Sequence, residues 1–336
     1  MLTALADQLR HSLGILHKQD IQTVSRLLET QNTQANAPAP HLPSPASPQP
    51  SILLGDDCAA IPDRDGYLLL AAEGMLPMLV ETEPWFTGWC AVMVNVSDIY
   101  AMGGRPIAVV DTLWSETTHL SKSLLEGMQA AAQAYNVPIV GGHTNCHSPY
   151  NALSVAILGR AKRLITSFNA RSGDRLLVAF DPRGKLHPKH PFWNAATNAN
   201  PVRLRADLEI LPQIAEAELC DAGKDISMGG ILGTLLMLLE TSGCGATLDF
   251  DTIPCPLNVP LERWLLCFPS YGFLLSVHPD QVENVQKQFH DRHLICESIG
   301  EIQATHQLIL RSQTESVLFW DLSQQSLTGF TAAHPS

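Results

Sequence analysis

Charge is scarce in this chain. Asp, Glu, Lys and Arg together supply 16% of its 336 residues, and bases are the rarer sign, 21 against 33 acids. A formal charge of −12 lacks the basic footprint of general nucleic-acid binding, so nucleic acid is not an expected partner. Anionic nucleotides stay within reach where metal ions bridge the charges. No apolar stretch is long enough to span a bilayer, and the N-terminus lacks the basic-then-apolar order of a signal peptide. A membrane partner is therefore not expected either. No Cys-x-x-Cys pair occurs among the eight cysteines, which are scattered through apolar segments. They read as reduced, buried thiols of a cytoplasmic protein. Two nucleotide-binding loops are also missing: Gly-x-x-x-x-Gly-Lys-Ser/Thr, and Gly-x-Gly-x-x-Gly after a strand. A nucleotide, if bound, is held some other way.

What is present is apolar material for a large core. Hydrophobic residues make up 45%, and the length suffices for two ordinary domains or one large one. Leu2, Leu5, Leu9, Leu13 and Leu16 recur at helical steps, and Ile21, Val24, Leu27 and Leu28 mark a second short helix. These helices, residues 1–30, read as a packing appendage. Residues 31–50 carry six prolines and no charged residue, the composition of a flexible linker or extended arm. From residue 51 strand-like and helical patterns alternate. The patterns predict strands at 51–62 and 66–75, a helix at 85–102, a strand at 106–114, a helix at 121–136, and strands at 137–145 and 152–161. A break at 163–175 precedes a second unit. It holds a strand at 175–184, a polar insertion at 183–201 and a helical stretch at 203–220. A helix opened by glycines and ended by Gly243 follows, then a strand at 270–277, a helix at 281–289 and a strand at 297–302. The alternation predicts α/β or α+β, and periodicity does not choose between them.

Acids recur at the ends of these elements. The helix 85–102 is apolar on nearly every side, which predicts burial, yet it carries Asn95 and Asp98 on one face. A buried carboxylate takes up a proton, pairs with a cation or ligates a metal. A structural Asp bonded to a neighbouring loop and a ligand both fit this stretch alone. Asp56 and Asp57 follow the first strand, and adjacent carboxylates are stable together where solvent or a cation is present. Glu73 ends the next strand. Asp225 precedes Ser227, Gly229 and Gly230 at a helix start, where free N–H groups and a capping Ser can meet an anion. Gly141 and Gly142 end an apolar strand and His143 follows, a common way to build a site at a strand's carboxyl end. His143, Cys146 and His147 invite a zinc reading, but no second Cys/His pair lies at a suitable spacing. His187 and His190 read as surface residues of the insertion. The apolar pair Phe192–Trp193 inside it needs burial, which points to a pocket, with simple packing of the loop as the alternative.

In this order GDDCAA, AAEG, VNVSDIYAMGGRP, VGGHTN, SVAILGRA with ARSGDRLLV, and KDISMGGILG resemble the motifs of the aminoimidazole-ribonucleotide (AIR) synthetase superfamily. Its members include thiamine-monophosphate kinase, selenophosphate synthetase, the hydrogenase-maturation carbamoyl dehydratase and formylglycinamidine ribonucleotide synthetase. The nearest resemblance is to an AIR synthase-related branch, over about residues 51–310. The resemblance implies a two-domain α/β (α+β) fold. Residues 51–165 would form an ATP- and Mg²⁺-binding dimerisation domain, 166–312 the C-terminal domain and 313–336 a tail. N-terminal domains of a homodimer would pair into a β-barrel. By motif, Asp56, Asp57, Glu73 and Asp98 are implied metal ligands. Asn95, Asp98, Gly141, Gly142, Asp225, Ser227, Gly229 and Gly230 are implied nucleotide contacts.

Several positions depart from the implied pattern: Glu73 replaces the usual Asp, and PSYGFLLSV lacks the acidic pair of thiamine-monophosphate kinase. His143 stands where the resemblance implies an acid, and is a candidate general base from position and residue type. Met228 stands where kinase-like relatives carry a second Asp. No Cys precedes Cys58 and the sequence ends TAAHPS, so the reactive N-terminal Cys or Sec of selenophosphate synthetases and the C-terminal Cys of the hydrogenase-maturation enzyme are not implied. The implied function is an Mg·ATP-dependent enzyme that phosphorylates a small molecule or activates it through a phosphate intermediate. The alternative is a nucleotide-binding, catalytically weak subunit of a pathway complex, with residues 1–50 as the docking arm. A small-molecule substrate would sit near the insertion and Asp181.

Overall fold

A computed structural model describes residues 2–32, 52–313 and 315–330. Most of the proline-rich segment, from residue 33 on, lies outside the described residues, as do residues 331–336 of the tail.

Five strands make the first sheet: β1 (Ala59–Asp63), β2 (Gly66–Gly74), β3 (Arg105–Trp114), β4 (Ile139–Asn145) and β5 (Ala152–Ala161). Their order is β1-β2-β5-β3-β4, with β3 and β4 parallel and the other neighbours antiparallel. Alternation sorts the side chains. Leu69, Val109, Leu113, Val155 and Ile157 are buried, while their neighbours Leu70, Val110 and Leu158 are exposed. The sheet is open, and no closed barrel forms among the described residues. The barrel implied by the resemblance would need a second copy.

The helix Pro84–Ala101 covers the inner face of this sheet, and the helix Thr118–Tyr135 packs on it in turn. The first is buried along most of its length, as its sequence predicts. The second begins at Thr117, whose side chain accepts from Leu120 N, and ends at Asn136 in the left-handed region, φ 56°. The two helices cross in near-backbone contact. A Cβ on Gly88 would lie 2.0 Å from the Leu124 carbonyl oxygen, and one on Gly127 1.9 Å from that of Trp85. Only glycine fits either place.

Ten strands follow: β6 (Arg175–Phe180), β7 (Lys185–Leu186), β8 (Phe192–Asn194), β9 (Ala222–Asp225), β10 (Gly245–Asp249), β11 (Phe268–Pro269), β12 (Gly272–Val277), β13 (Ile295–Gln303), β14 (Gln307–Arg311) and β15 (Ser316–Asp321). Seven of them form a sheet of order β15-β14-β10-β13-β6-β12-β9, antiparallel except for β10 with β14. β12 is buried at every residue and β6 at all but its first, which explains why these strands read as continuous apolar runs. The helix Leu2–Arg10 packs on β15 and buries Leu2, Ala6 and Leu9. The insertion is not a loop. It forms β7 and β8, which join β11 in a third small sheet and bury Phe192 and Trp193.

Two expectations about the acids change here. Residues 54–58 are a bent loop, and the first strand begins only at Ala59, so Asp56 and Asp57 precede a strand instead of following one. Asp225 ends β9 and does not open a helix; the helix Gly230–Ser242 starts five residues later. β9 lies against the helix Pro84–Ala101. Arg105, at the start of β3, adds a polar tie across the join: its guanidinium reaches Glu209 Oε1 at 2.7 Å and Glu216 Oε1 at 2.6 Å. The join is what brings Asp98 to Asp225.

Candidate functional site

The bent loop 54–58, the end of β2, the helix Pro84–Ala101 and the end of β9 meet around a cavity of about 180 Å³. Asp56, Asp57, Glu73, Asp98 and Asp225 line it, against two cations, Lys18 and Lys224. The formal excess is three negative charges. An apolar cavity of about 230 Å³ adjoins it, shares Lys18, Glu73, Asp98 and Asp225, and is walled by Phe86, Phe192 and Phe268. Phe192 thus lines a pocket as its sequence context predicts, whereas Trp193 packs in the core and donates from Nε1 to the Asp181 carbonyl at 2.8 Å.

Within the acid cavity the carboxylates take different parts. Asp57, Asp98 and Asp225 each offer an oxygen within 4.8 Å of the others'. Asp57 also pairs with Lys224 Nζ, and its Oδ2 accepts from Asp225 N at 3.1 Å. Asp98 Oδ2 is buried with no hydrogen-bond partner. Asp56 is committed inside the chain. Its Oδ2 accepts from Thr166 Oγ1 at 2.5 Å and Ser167 N at 2.9 Å, and its Oδ1 from Asp57 N at 3.0 Å. These bonds hold the loop bent and present Asp57. Glu73 lies on the cavity wall, outside the group of three. Asn95 does not orient Asp98: its amide donates to Ala91 O at 2.8 Å, and its Oδ1 is left buried and unpartnered.

The glycine turn also departs from expectation. Ser227 does not cap the helix Gly230–Ser242; Gly229 occupies the N-cap position, and Ser227 Oγ is buried without a partner. The N–H groups of Ser227, Gly230 and Ile231 already donate within the chain, to Thr234 Oγ1, Ser227 O and Leu265 O. These three amides are not offered to an anion, although Ser227 itself lines both cavities. Gly141, Gly142 and His143 lie on β4, an exposed edge strand, and line neither cavity. His143 stands near Trp114, its ring centroid 6.3 Å away. His143, Cys146 and His147 do not gather as ligands; Cys146 lies 3.3 Å from Ser121 Oγ instead. All eight cysteines are free, six of them buried.

Burial governs the electrostatics. It pushes the Asp98 carboxyl well above its ordinary value, and Asp225, Asp57 and Glu73 push it further. Asp225 is pushed up to about 8, first by burial and then by Asp57. Asp56 is raised by burial although Lys224 opposes, because several carboxylates share that one buried ammonium. Burial alone would lower Lys224, but Asp57 and Asp56 outweigh it and hold the ammonium above its ordinary value. Lys18 is lowered, by burial and by Lys224. Such a group of acids is short of positive charge. Hard oxygen donors and an orphaned Asp98 oxygen match what a divalent cation such as Mg²⁺ takes.

Lys18, Lys224 and Thr166 were not among the sequence candidates. Lys224 adjoins Asp225 and was the one legible signal. Lys18 reaches the cavity because Gly14 packs the N-terminal segment against the turn at 228–229, where a Cβ would lie 2.2 Å from the Met228 carbonyl oxygen. The N-terminal helices thus pack as an appendage and also deliver a cation to the acids.

Comparison with known proteins gives the fold a family. Residues 55–161 match the N-terminal domain of AIR synthase related proteins, and residues 184–313 the C-terminal domain. An "Uncharacterized protein sll0787" of Synechocystis is 58% identical over 332 residues, covering 98% of this chain and 99% of its own. A selenide, water dikinase of Colwellia psychrerythraea is 26% identical over 304 residues, covering 76% of this chain and 86% of its own. Among solved structures, Thermotoga maritima PurL complexed with ATP shares the fold at a TM-score of 0.65 and 18% identity, over 82% of this chain and 46% of that one. The chain therefore spans about half the length of that protein. AaThiL complexed with AMPPCP and TMP aligns at a TM-score of 0.64 and 19% identity, over 88% of this chain and 96% of that one. No described helix is long and apolar enough to cross a membrane. On the two domain matches and the 58% relative, the chain belongs to the AIR synthase related protein family.

Proposed function

We propose that the chain binds ATP with Mg²⁺ and uses it to phosphorylate a small molecule or to activate one through a phosphate intermediate. The observation that carries this reading is the convergence of Asp57, Asp98 and Asp225 with an unpartnered, buried Asp98 oxygen. These three residues would hold the cation, Glu73 would stand at its side, and Asp56 would position Asp57. When bound, Mg²⁺ would neutralise charge on the phosphates. Lys18 and Lys224 face the same cavity and would add positive charge near an incoming phosphate. The adjoining apolar cavity offers an aromatic surface to a base or to the acceptor, and the nucleotide-bound relatives PurL and AaThiL support the choice of nucleotide.

A second reading rests on His143. It is the candidate general base, yet in one chain it sits on an exposed edge strand outside the acid cavity. A nucleotide-binding subunit with weak catalysis fits that placement. The exposed apolar face of the first sheet, with Leu70, Val110 and Leu158, supports a homodimer, in which β4 would no longer be an open edge.

Calorimetric titration of the full chain with Mg·ATP tests the reading, and an ADP-release screen against small molecules separates it from the subunit reading. Asp98→Asn is expected to weaken Mg-dependent ATP binding at least tenfold while the fold holds. Equal affinity in both proteins would refute the metal role. Binding without ADP release from any acceptor favours the subunit reading.

A further inference from the structure

The turn between β7 and β8 carries two histidines inward. His187 and His190 meet Glu83, the residue that precedes the helix Pro84–Ala101. Glu83 Oε2 lies 3.1 Å from His187 Nε2, and Glu83 Oε1 lies 3.4 Å from His190 Nε2. The side chains are only 19%, 13% and 20% exposed for Glu83, His187 and His190, so these are not the free surface residues their polar context predicts. One ligand atom from each falls within 4.8 Å of the other two. Packing fixes the rings in place. The imidazoles stack on each other at 4.9 Å between centroids, and His187 stacks on Phe86 at 5.0 Å. Backbone bonds hold the turn as well, from His187 N to Phe192 O and from Phe192 N to His190 O.

The ordinary account of such a cluster is a hydrogen-bonded His–Glu pair. It serves His187. It leaves Glu83 Oε1 and His190 Nε2 buried, facing each other, and without a hydrogen-bond partner. Buried polar atoms are seldom left that way. Lys189 Nζ comes within 3.5 Å of Glu83 Oε1 and shares its charge, but its side chain is 68% exposed and leaves His190 Nε2 unsatisfied. A cation among the three side chains would satisfy both orphaned atoms. Two imidazoles and one carboxylate suit a borderline divalent cation of the zinc type, whereas Mg²⁺ prefers an all-oxygen set.

We propose that Glu83, His187 and His190 form a Zn²⁺ site, distinct from the three-aspartate cluster. The site would tie the insertion to the start of the helix that carries Asp98. Three protein ligands leave a fourth position for water or a substrate group. His190 also lines the apolar cavity that reaches Asp98 and Asp225, so the metal would brace a wall of that cavity.

The test uses full-length, tag-free protein stripped by a chelator and then titrated with Co²⁺ as a visible probe, with excess Mg²⁺ to occupy the aspartates. The expected result is a stoichiometric complex with visible d–d bands, displaced by Zn²⁺. Glu83→Gln and the double variant H187A/H190A should each lose at least tenfold in affinity, while Asp98→Asn should not. Circular dichroism without metal checks that each variant folds. His190→Gln keeps the His187–Glu83 bond and decides the matter if the double variant does not fold. Three results would overturn the proposal: no Co²⁺ bands in the wild type, equal affinity in wild type and a folded His190 variant, or a thiolate charge-transfer band that assigns the probe to a cysteine.

Discussion

At the scale of single residues, Asp225 has the clearest consequence. Burial and Asp57 lift its carboxyl to about 8, from an ordinary value of 3.8. The folded chain therefore holds this proton more tightly than the unfolded one. Without metal, the contribution of Asp225 to stability should be greatest at and below its ordinary value and should fall as pH rises toward 8. A divalent cation binds the ionised form and must expel the proton. Mg²⁺ affinity should accordingly increase with pH through about 8, and calorimetry in buffers of different ionisation enthalpy should register the released proton. An affinity indifferent to pH across that range would remove Asp225 from the ligand set. Asp98 was legible because the residues around it are apolar on every side, so its charge needed a reason. The division of labour between Asp56 and Asp57 was not, since it depends on Thr166 and Ser167, more than a hundred positions away. Lys18 sits in the one-turn 3-10 helix His17–Asp20 and carries no local mark of its place in the cavity.

At the scale of elements, periodicity served the long helices and most of the central strands. It failed in the insertion, where two short strands are held by β11 and by buried aromatics and not by any pattern of their own. It also hid the helix crossing. Gly88 and Gly127 look like ordinary interruptions of an apolar pattern, yet they set how closely the helix carrying Asp98 can be pressed down. Gly127→Ala should cost about 1–3 kcal/mol by forcing the helices apart. Urea unfolding measures it. A gain in stability, as alanine's higher helix propensity alone would give, would mean that the crossing yields easily.

At the scale of the whole molecule, the first sheet leaves one face unfilled. Leu70 and Leu158 are paired across β2 and β5 and both face out, beside Val110 on β3. If a second copy covers them, Leu158→Glu should shift the protein from dimer to monomer in light scattering. A wild type that is already monomeric at high concentration would refute the homodimer. The sequence pointed to a second copy only through its resemblance to a family, because what covers this face is a property of two chains and leaves no periodic trace in one.

The acid cavity is roofed by parts of the chain that are far apart in sequence. Lys18 and Ile21 come from one side, Thr328 and Phe330 from the other. Gln22 Nε2 donates to Ser326 O at 2.9 Å across 304 positions, and the buried Glu240 carboxylate gathers the N–H groups of Leu327 and Thr328 at 2.7 and 2.8 Å. A nascent chain can lay down both sheets and all five acids and still lack that roof until residue 328 has been made. If the cavity takes Mg·ATP as proposed, binding should depend on residues 326–330 as well as on the five acids. A variant cut before Ser326 should keep all five carboxylates, strip Glu240 of those donors, and lose both stability in urea unfolding and affinity for Mg·ATP in calorimetry.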